Sequence, residues 1–262
     1  MRGSGAAFRG EDDDRDLGAV LDDLKSAGCA VLVTGTAPEA CVAASQKLFG
    51  APHQHRRRVL VTHETGSDAD RWLPEGVSVC DETELLRPPL IGRDTASDSP
   101  APDDTALDGP TIDDPETDVS GVETPAHGGP TTEPPDGGPT AEPSTTALDR
   151  LRSDLSDVIS DYQSDRLEPG EVRVGVTSAD ALASKYGRTE LLSFVRTATA
   201  LIRGVRGLGH LQLGQSRDGD LVPLLDDLFD ARVDVRKQPG LPAEQRWHVP
   251  GYGTTEWIRI EE

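Results

Sequence analysis

The sequence predicts an α/β fold: a mainly parallel sheet flanked by helices, finished by a C-terminal antiparallel hairpin and carrying a long disordered acidic insertion. Three observations predict it. Short apolar runs bounded by glycine or charge, such as Gly28-Cys29-Ala30-Val31-Leu32-Val33-Thr34-Gly35, suit strands buried on both faces. Segments with apolar residues at three- and four-residue intervals alternate with those runs, which is the order of βα units. Charge is also unevenly spread along the 262 residues: of a net charge of −21, residues 88–147 carry −12, with 12 prolines and no aromatic.

The first strand runs over Cys29 to Thr34, and Pro38 fits the first turn of a helix reaching Phe49. Arg58-Val59-Leu60-Val61-Thr62 is a second buried strand and Val77-Ser78-Val79-Cys80 a short third one. Residues 88–147 contain the near-repeats GGPTTEPP and GGPTAEPS, and no face of this stretch offers enough apolar surface to offset chain entropy. Disorder is expected there. Beyond it, Leu148, Leu151, Leu155, Val158 and Ile159 form the stripe of an amphipathic helix to Tyr162. Glu171 to Val176 is a strand, Thr189 to Arg206 a helix, Leu208 to Leu213 a strand, Asp220 to Phe229 a helix and Ala231 to Arg236 an alternating strand. Gln245–Val249 and Glu256–Ile260 form the hairpin, turned through Pro250-Gly251-Tyr252-Gly253. Neither flank holds enough elements to enclose a core, so residues 1–87 and 148–262 are expected to build one domain, with 88–147 inserted in it.

Composition bounds the partners. The bases are 22 arginines and only 4 lysines, and 30 aspartates outnumber 17 glutamates. Short carboxylates with few ammonium stems suit hydration in concentrated salt, as in an extreme halophile, where a Debye length of about 3 Å at 1 M screens self-repulsion. Net acidity opposes nonspecific nucleic-acid binding. No stretch approaches the ~20 consecutive apolar residues of a membrane-spanning helix, and Met1 to Gly10 has no apolar signal core, so a soluble cytoplasmic protein is expected. Cys29, Cys41 and Cys80 show no C-x-x-C spacing and are expected to be small buried residues.

The turn after the first strand carries the most information. A phosphate loop has the pattern G-x-x-x-x-G-K-[ST], in which backbone N–H groups wrap phosphates, lysine neutralises them and a hydroxyl binds magnesium. The register holds through Gly35, Thr36, Ala37, Pro38 and Glu39, but Ala40, Cys41 and Val42 follow, so lysine and hydroxyl are both absent. Here the chain resembles the RecA/KaiC-like branch of P-loop ATPases. Leu60-Val61-Thr62-His63-Glu64 is similar to the stretch that carries their catalytic glutamate, and Val172 to Ser178 resembles their Walker B strand, with Thr177 where an aspartate would stand and Ser178 kept. The chain also resembles haloarchaeal proteins of unassigned function, through Gly3-Ser4-Gly5 and Glu244-Gln245-Arg246-Trp247-His248-Val249-Pro250. The resemblance implies a RecA-like sheet whose nucleotide site is degenerate at Gly35 to Val42, Glu64, Thr177 and Ser178. Phosphoryl transfer relies on positioned cations and metal. A non-hydrolytic regulatory or interaction module with a protein partner, no cofactor, no metal and no catalytic residue is therefore expected; oligomerisation stays open, as in RecA/KaiC relatives. A nucleotide sensor that binds without hydrolysis is an alternative.

Three further groups have two explanations each. His53, His55, Arg56, Arg57 and Arg58 suit either a metal or anion site or an exposed connection. Arg188, Arg196, Arg203 and Arg206 make a basic helix, which suits a DNA-associated regulator or arginine stems laid over core edges. Trp247, His248, Tyr252 and Trp257 suit a ligand surface or aromatic closure of the sheet edge.

Overall fold

The computed structural model describes residues 17–79, 83–88, 147–177 and 179–260. The disordered acidic insertion expected over 88–147 therefore lies outside the described residues apart from Pro88 and Ala147, as do Gly3-Ser4-Gly5, Cys80 and Ser178.

Apolar runs form strands where the sequence places them: β1 (Cys29–Thr34), β2 (Arg57–Val61), β4 (Val172–Val176), β5 (Leu208–Leu213) and β6 (Ala231–Lys237). An edge strand β3 (Thr83–Leu86), the strands β7 (Ala243–Val249), β8 (Gly253–Thr254) and β9 (Ile258–Arg259) complete one sheet in the order β3-β2-β4-β5-β1-β6-β7-β8, with β9 on β7. The pairs from β3 to β6 are parallel, and those made by β7 are antiparallel. Strands from both sides of the acidic segment thus interleave in one sheet.

Helices cover both faces. On one lie α1 (Leu17–Ala27), α2 (Pro38–Phe49) and α3 (Ser67–Asp70), over Val31, Val33, Leu60 and Val233. On the other lie α4 (Ala147–Gln163), α5 (Ala179–Tyr186), α6 (Arg188–Gly204) and α7 (Val222–Leu225), over Leu32, Val59, Val174 and Leu211. Pro38 opens α2 at a position where its missing N–H costs nothing. Among the described residues no helix is long and apolar enough to cross a membrane.

Four expectations need correction. The third strand is at Thr83–Leu86, not Val77–Cys80: Val77 donates to the Pro74 carbonyl and Val79 N–H donates to Asp70 Oδ1, which turns that apolar stretch back on α3. The helix expected over Asp220–Phe229 is only one turn, α7, followed by a 3₁₀ turn at Asp226–Leu228. The returning hairpin strand is broken into β8 and β9 because Thr255 bonds across to Trp247 through both its N–H and its hydroxyl. Helices α1 and α5 have no counterpart in the sequence expectations.

A buried polar set pins α2 to the sheet. Ser45 Oγ donates to the Trp72 carbonyl (3.2 Å) and lies 2.8 Å from His210 Nε2. With its one proton committed, Oγ accepts from His210, which fixes the neutral Nε2–H tautomer. Phe49 meets the imidazole edge-on at 4.9 Å. A Cβ on Gly175 would stand 2.4 Å from Phe49 and 2.7 Å from His210, so only glycine admits this contact.

Burial, and then the Arg173 charge, push the His210 pKa down to about 3. In the unfolded chain it titrates near 6.5. Below that pH the unfolded state binds a proton that the folded state refuses, so acid removes stability at up to about 1.4 kcal/mol per pH unit. His210→Gln is expected to flatten the stability slope between pH 6.5 and 5, measured by denaturant unfolding in molar potassium chloride. Equal slopes in both proteins would mean the imidazole charges freely in the fold.

Candidate functional site

The sheet turns direction at β1. From β1 the chain crosses to β2 on one side, and from β5 it passes to β6 on the other. Open α/β sheets bind ligands at the carboxyl ends of strands beside such a switch. The loop at Gly35 lies there.

What fills the loop is helix. Only Gly35, Thr36 and Ala37 separate β1 from α2, and Pro38, Glu39, Ala40, Cys41 and Val42 are already helical. Gly35 N–H donates to the Leu213 carbonyl (3.3 Å) and Cys41 N–H to the Ala37 carbonyl (3.1 Å), so neither amide is offered to a ligand. A Cβ on Gly35 would lie 2.5 Å from Val235 Cγ2, so here the glycine permits close strand packing. The Cys41 Sγ reaches the Gly35 carbonyl at 3.5 Å, and burial raises its pKa to about 11. That side chain is a buried thiol, not a thiolate nucleophile. Ala40 is buried, while Thr36, Pro38 and Glu39 are exposed.

The neighbouring groups are acidic. Asp180, from the first turn of α5, accepts Gly214 N–H at 2.5 Å and the Gln215 amide at 2.8 Å, which ties the end of β5 to α5. Glu39 occupies the first turn of α2, where an anion would gain most from the helix dipole. Thr177 follows β4; its N–H donates to the Val61 carbonyl, and its hydroxyl is buried without a partner. Sequence reasoning missed Asp180, Gln212 and Gln215. The buried Gln212 leaves its Oε1 unpartnered on the Cys41 side. These residues come from distant segments, and no spacing could have grouped them.

Glu64 is bonded elsewhere. Its Oε1 takes the Arg71 guanidinium at 2.5 Å and its Oε2 takes Trp72 Nε1 at 2.6 Å. Both oxygens serve to anchor α3 and the buried Trp72. At the end of β1, Thr34 Oγ1 donates to Asp234 Oδ1 (2.8 Å), and Arg232 and Arg246 flank the same carboxylate. Burial pushes that carboxyl up, but Arg246, Thr34 and Arg232 outweigh it and hold it below its ordinary value.

The remaining candidates do not converge. Arg203 pairs with Asp230 and donates to the Leu228 carbonyl, and Arg188 pairs with Asp220. Arg196 is exposed, and Arg206 takes the left-handed conformation (φ 51°) that ends α6. His55 lies 3.5 Å from Glu171, Arg57 pairs with Asp165 and Glu171, and Arg58 is fully buried. Among the described residues no cluster of three or more His, Cys, Asp or Glu side chains could hold a metal. The C-terminal aromatics are split: Trp247 packs with Val233 and Val235, whereas Trp257 stacks on Arg236 (4.0 Å) and Arg246 (4.6 Å).

A protein-family model described as a family of unknown function, DUF7504, matches residues 28–235, and the chain belongs to that family. No curated protein matches the chain.

Glu64→Ala leaves the buried Trp72 N–H without its acceptor and is expected to cost about 2 kcal/mol of stability in denaturant unfolding. A stability unchanged from the parent protein would assign Glu64 a role other than this anchor.

Proposed function

We propose that this member of the DUF7504 family is a non-hydrolytic, RecA/KaiC-like regulatory module that acts by binding another protein. The single observation that carries the proposal is the start of α2 at Pro38. A loop of three residues, with the Gly35 and Cys41 amides bonded within the fold, is short for wrapping a triphosphate, and Glu39 and Asp180 supply negative charge where lysine and metal would be needed. The RecA/KaiC-like reading is supported by the order of parts along the parallel sheet: a glycine-led turn after β1, Glu64 after β2, Thr177 after β4, and the interruption of β4 from β1 by β5.

A partner-binding role is supported by the exposed apolar side chains of Leu241 and Tyr252, in the turns at the two ends of β7, and of Ile258 on the neighbouring β9. In molar salt, charge attraction between surfaces is screened within a few ångströms, and apolar contact remains. The DNA-associated alternative draws less support, since Arg203 is held by Asp230 and the Leu228 carbonyl.

Calorimetric titration of the full chain with ATP and magnesium in molar potassium chloride is expected to give no saturable heat, and a phosphate-release assay no turnover. Micromolar binding without turnover would replace the proposal with a nucleotide sensor, and turnover would make the chain an ATPase.

A further inference from the structure

Beneath α1, on the face of the sheet that also carries α2, lies a cavity of about 440 Å³ that runs from the amino ends of β4, β5 and β1 to the middle of β7. This is within the ~300–1,000 Å³ of small-molecule sites. Its roof is the stripe Leu17, Leu21 and Leu24, and its floor includes Val31, Leu208 and Trp247. No residue of α1 is fully buried: the stripe is half-buried over the cavity, and Leu24 also packs against the core on that face. The lining runs from Arg173 on β4 to Gln245 on β7, four strand spacings or about 19 Å. The cavity is therefore elongated.

Its charge is opposite to that of the chain. Among the described residues no carboxylate lines it, whereas Lys25, Lys47, Arg56 and Arg173 do. Arg173 is 7% exposed, and its partners are carbonyls: Nε donates to Gly170 (2.7 Å) and Nη1 to Leu48 (3.2 Å). Among the described residues no carboxylate neutralises it, and burial, with the nearby Arg56, lowers its pKa to about 10. Arg56 Nε is buried without a partner. At the far end Gln245, 5% exposed, lines the cavity. Buried polar groups are nearly always satisfied, so the unpaired Arg56 Nε on the cavity wall points to an absent partner.

We propose that this cavity binds an elongated amphipathic anion: an aliphatic body beneath α1, a carboxylate head against Arg173 and Arg56, and a distal hydroxyl or carbonyl bonded to Gln245. This site is separate from the degenerate turn after β1. It does not depend on the nucleotide reading.

Calorimetry on the full chain in molar potassium chloride tests it with 10-hydroxydecanoate as probe, against decanoate and decyltrimethylammonium. The hydroxy acid is expected to bind at least tenfold more tightly than the cation, and more tightly than decanoate. Gln245→Leu should erase the difference between the two acids. Leu21→Trp, which fills the roof, should abolish binding, and Lys25→Glu with Lys47→Glu, both exposed, should weaken it about tenfold, with thermal melts showing each variant folded. Equal affinity for the cation, no effect of Leu21→Trp in a folded protein, or an equal difference between the acids after Gln245→Leu would each overturn the proposal.

Discussion

The structure depends on one constraint: β4 must lie between β2 and β5, so a strand from beyond the acidic segment is wedged into a sheet begun before it. Neither flank can satisfy its backbone alone. Without β4, β2 would pair only with the short edge strand β3, and without β5, β1 would keep only β6. Sheet closure therefore requires the two ends of the 88–147 segment to be brought to a common core. The entropy of closing such a loop rises only logarithmically, by about 0.6 kcal/mol per doubling, so a long polar connection adds little to the cost of a short one.

The strands buried on both faces were legible because burial on two sides leaves a continuous apolar run. β1 and the Val59-Leu60-Val61 part of β2 show it, whereas β4, β5 and β6 interleave the buried Arg173, His210, Gln212, Arg232 and Asp234 with apolar residues. β3 was not legible: Thr83-Glu84-Leu85-Leu86 has the composition of a helix, and at the sheet edge it needs only one neighbour. α5 is eight residues with Leu182 its only large buried side chain, too short for a period to declare itself. The stripe of α1 was present at Leu17, Leu21 and Leu24 but adjoins an acidic run that masks it. At the candidate site, the proline that predicts the start of α2 also shortens the loop that the glycine pattern suggests. Both signals were in the sequence, and helix geometry decided between them.

The polarity of the parallel unit organises the charges. Helices that return along a parallel sheet run against it, so their positive ends lie at the carboxyl edge of the strands and their negative ends at the amino edge. Along α2 the chain answers both ends itself: Glu39 sits at the first turn, and Lys47 at the last, with Arg173 on the Leu48 carbonyl. Each such interaction contributes about 0.3–1 kcal/mol when exposed. Satisfying the helix with its own carboxylate removes the field that would draw a phosphate. The same arrangement leaves the amino edge rich in cations.

Salt does not reverse this outcome. At molar ionic strength the repulsion due to a net charge of −21 is screened over about 3 Å, as are exposed pairs such as Arg188 with Asp220, whose side chains are 56% and 83% accessible. A carboxylate in contact with an amide lies inside that distance. Asp180 holds Gly214 N–H at 2.5 Å and Asp234 lies buried between two arginines, so both keep their partners when the long-range field is gone. Concentrated salt therefore leaves these short contacts in place while it removes the long-range self-repulsion of the acidic chain.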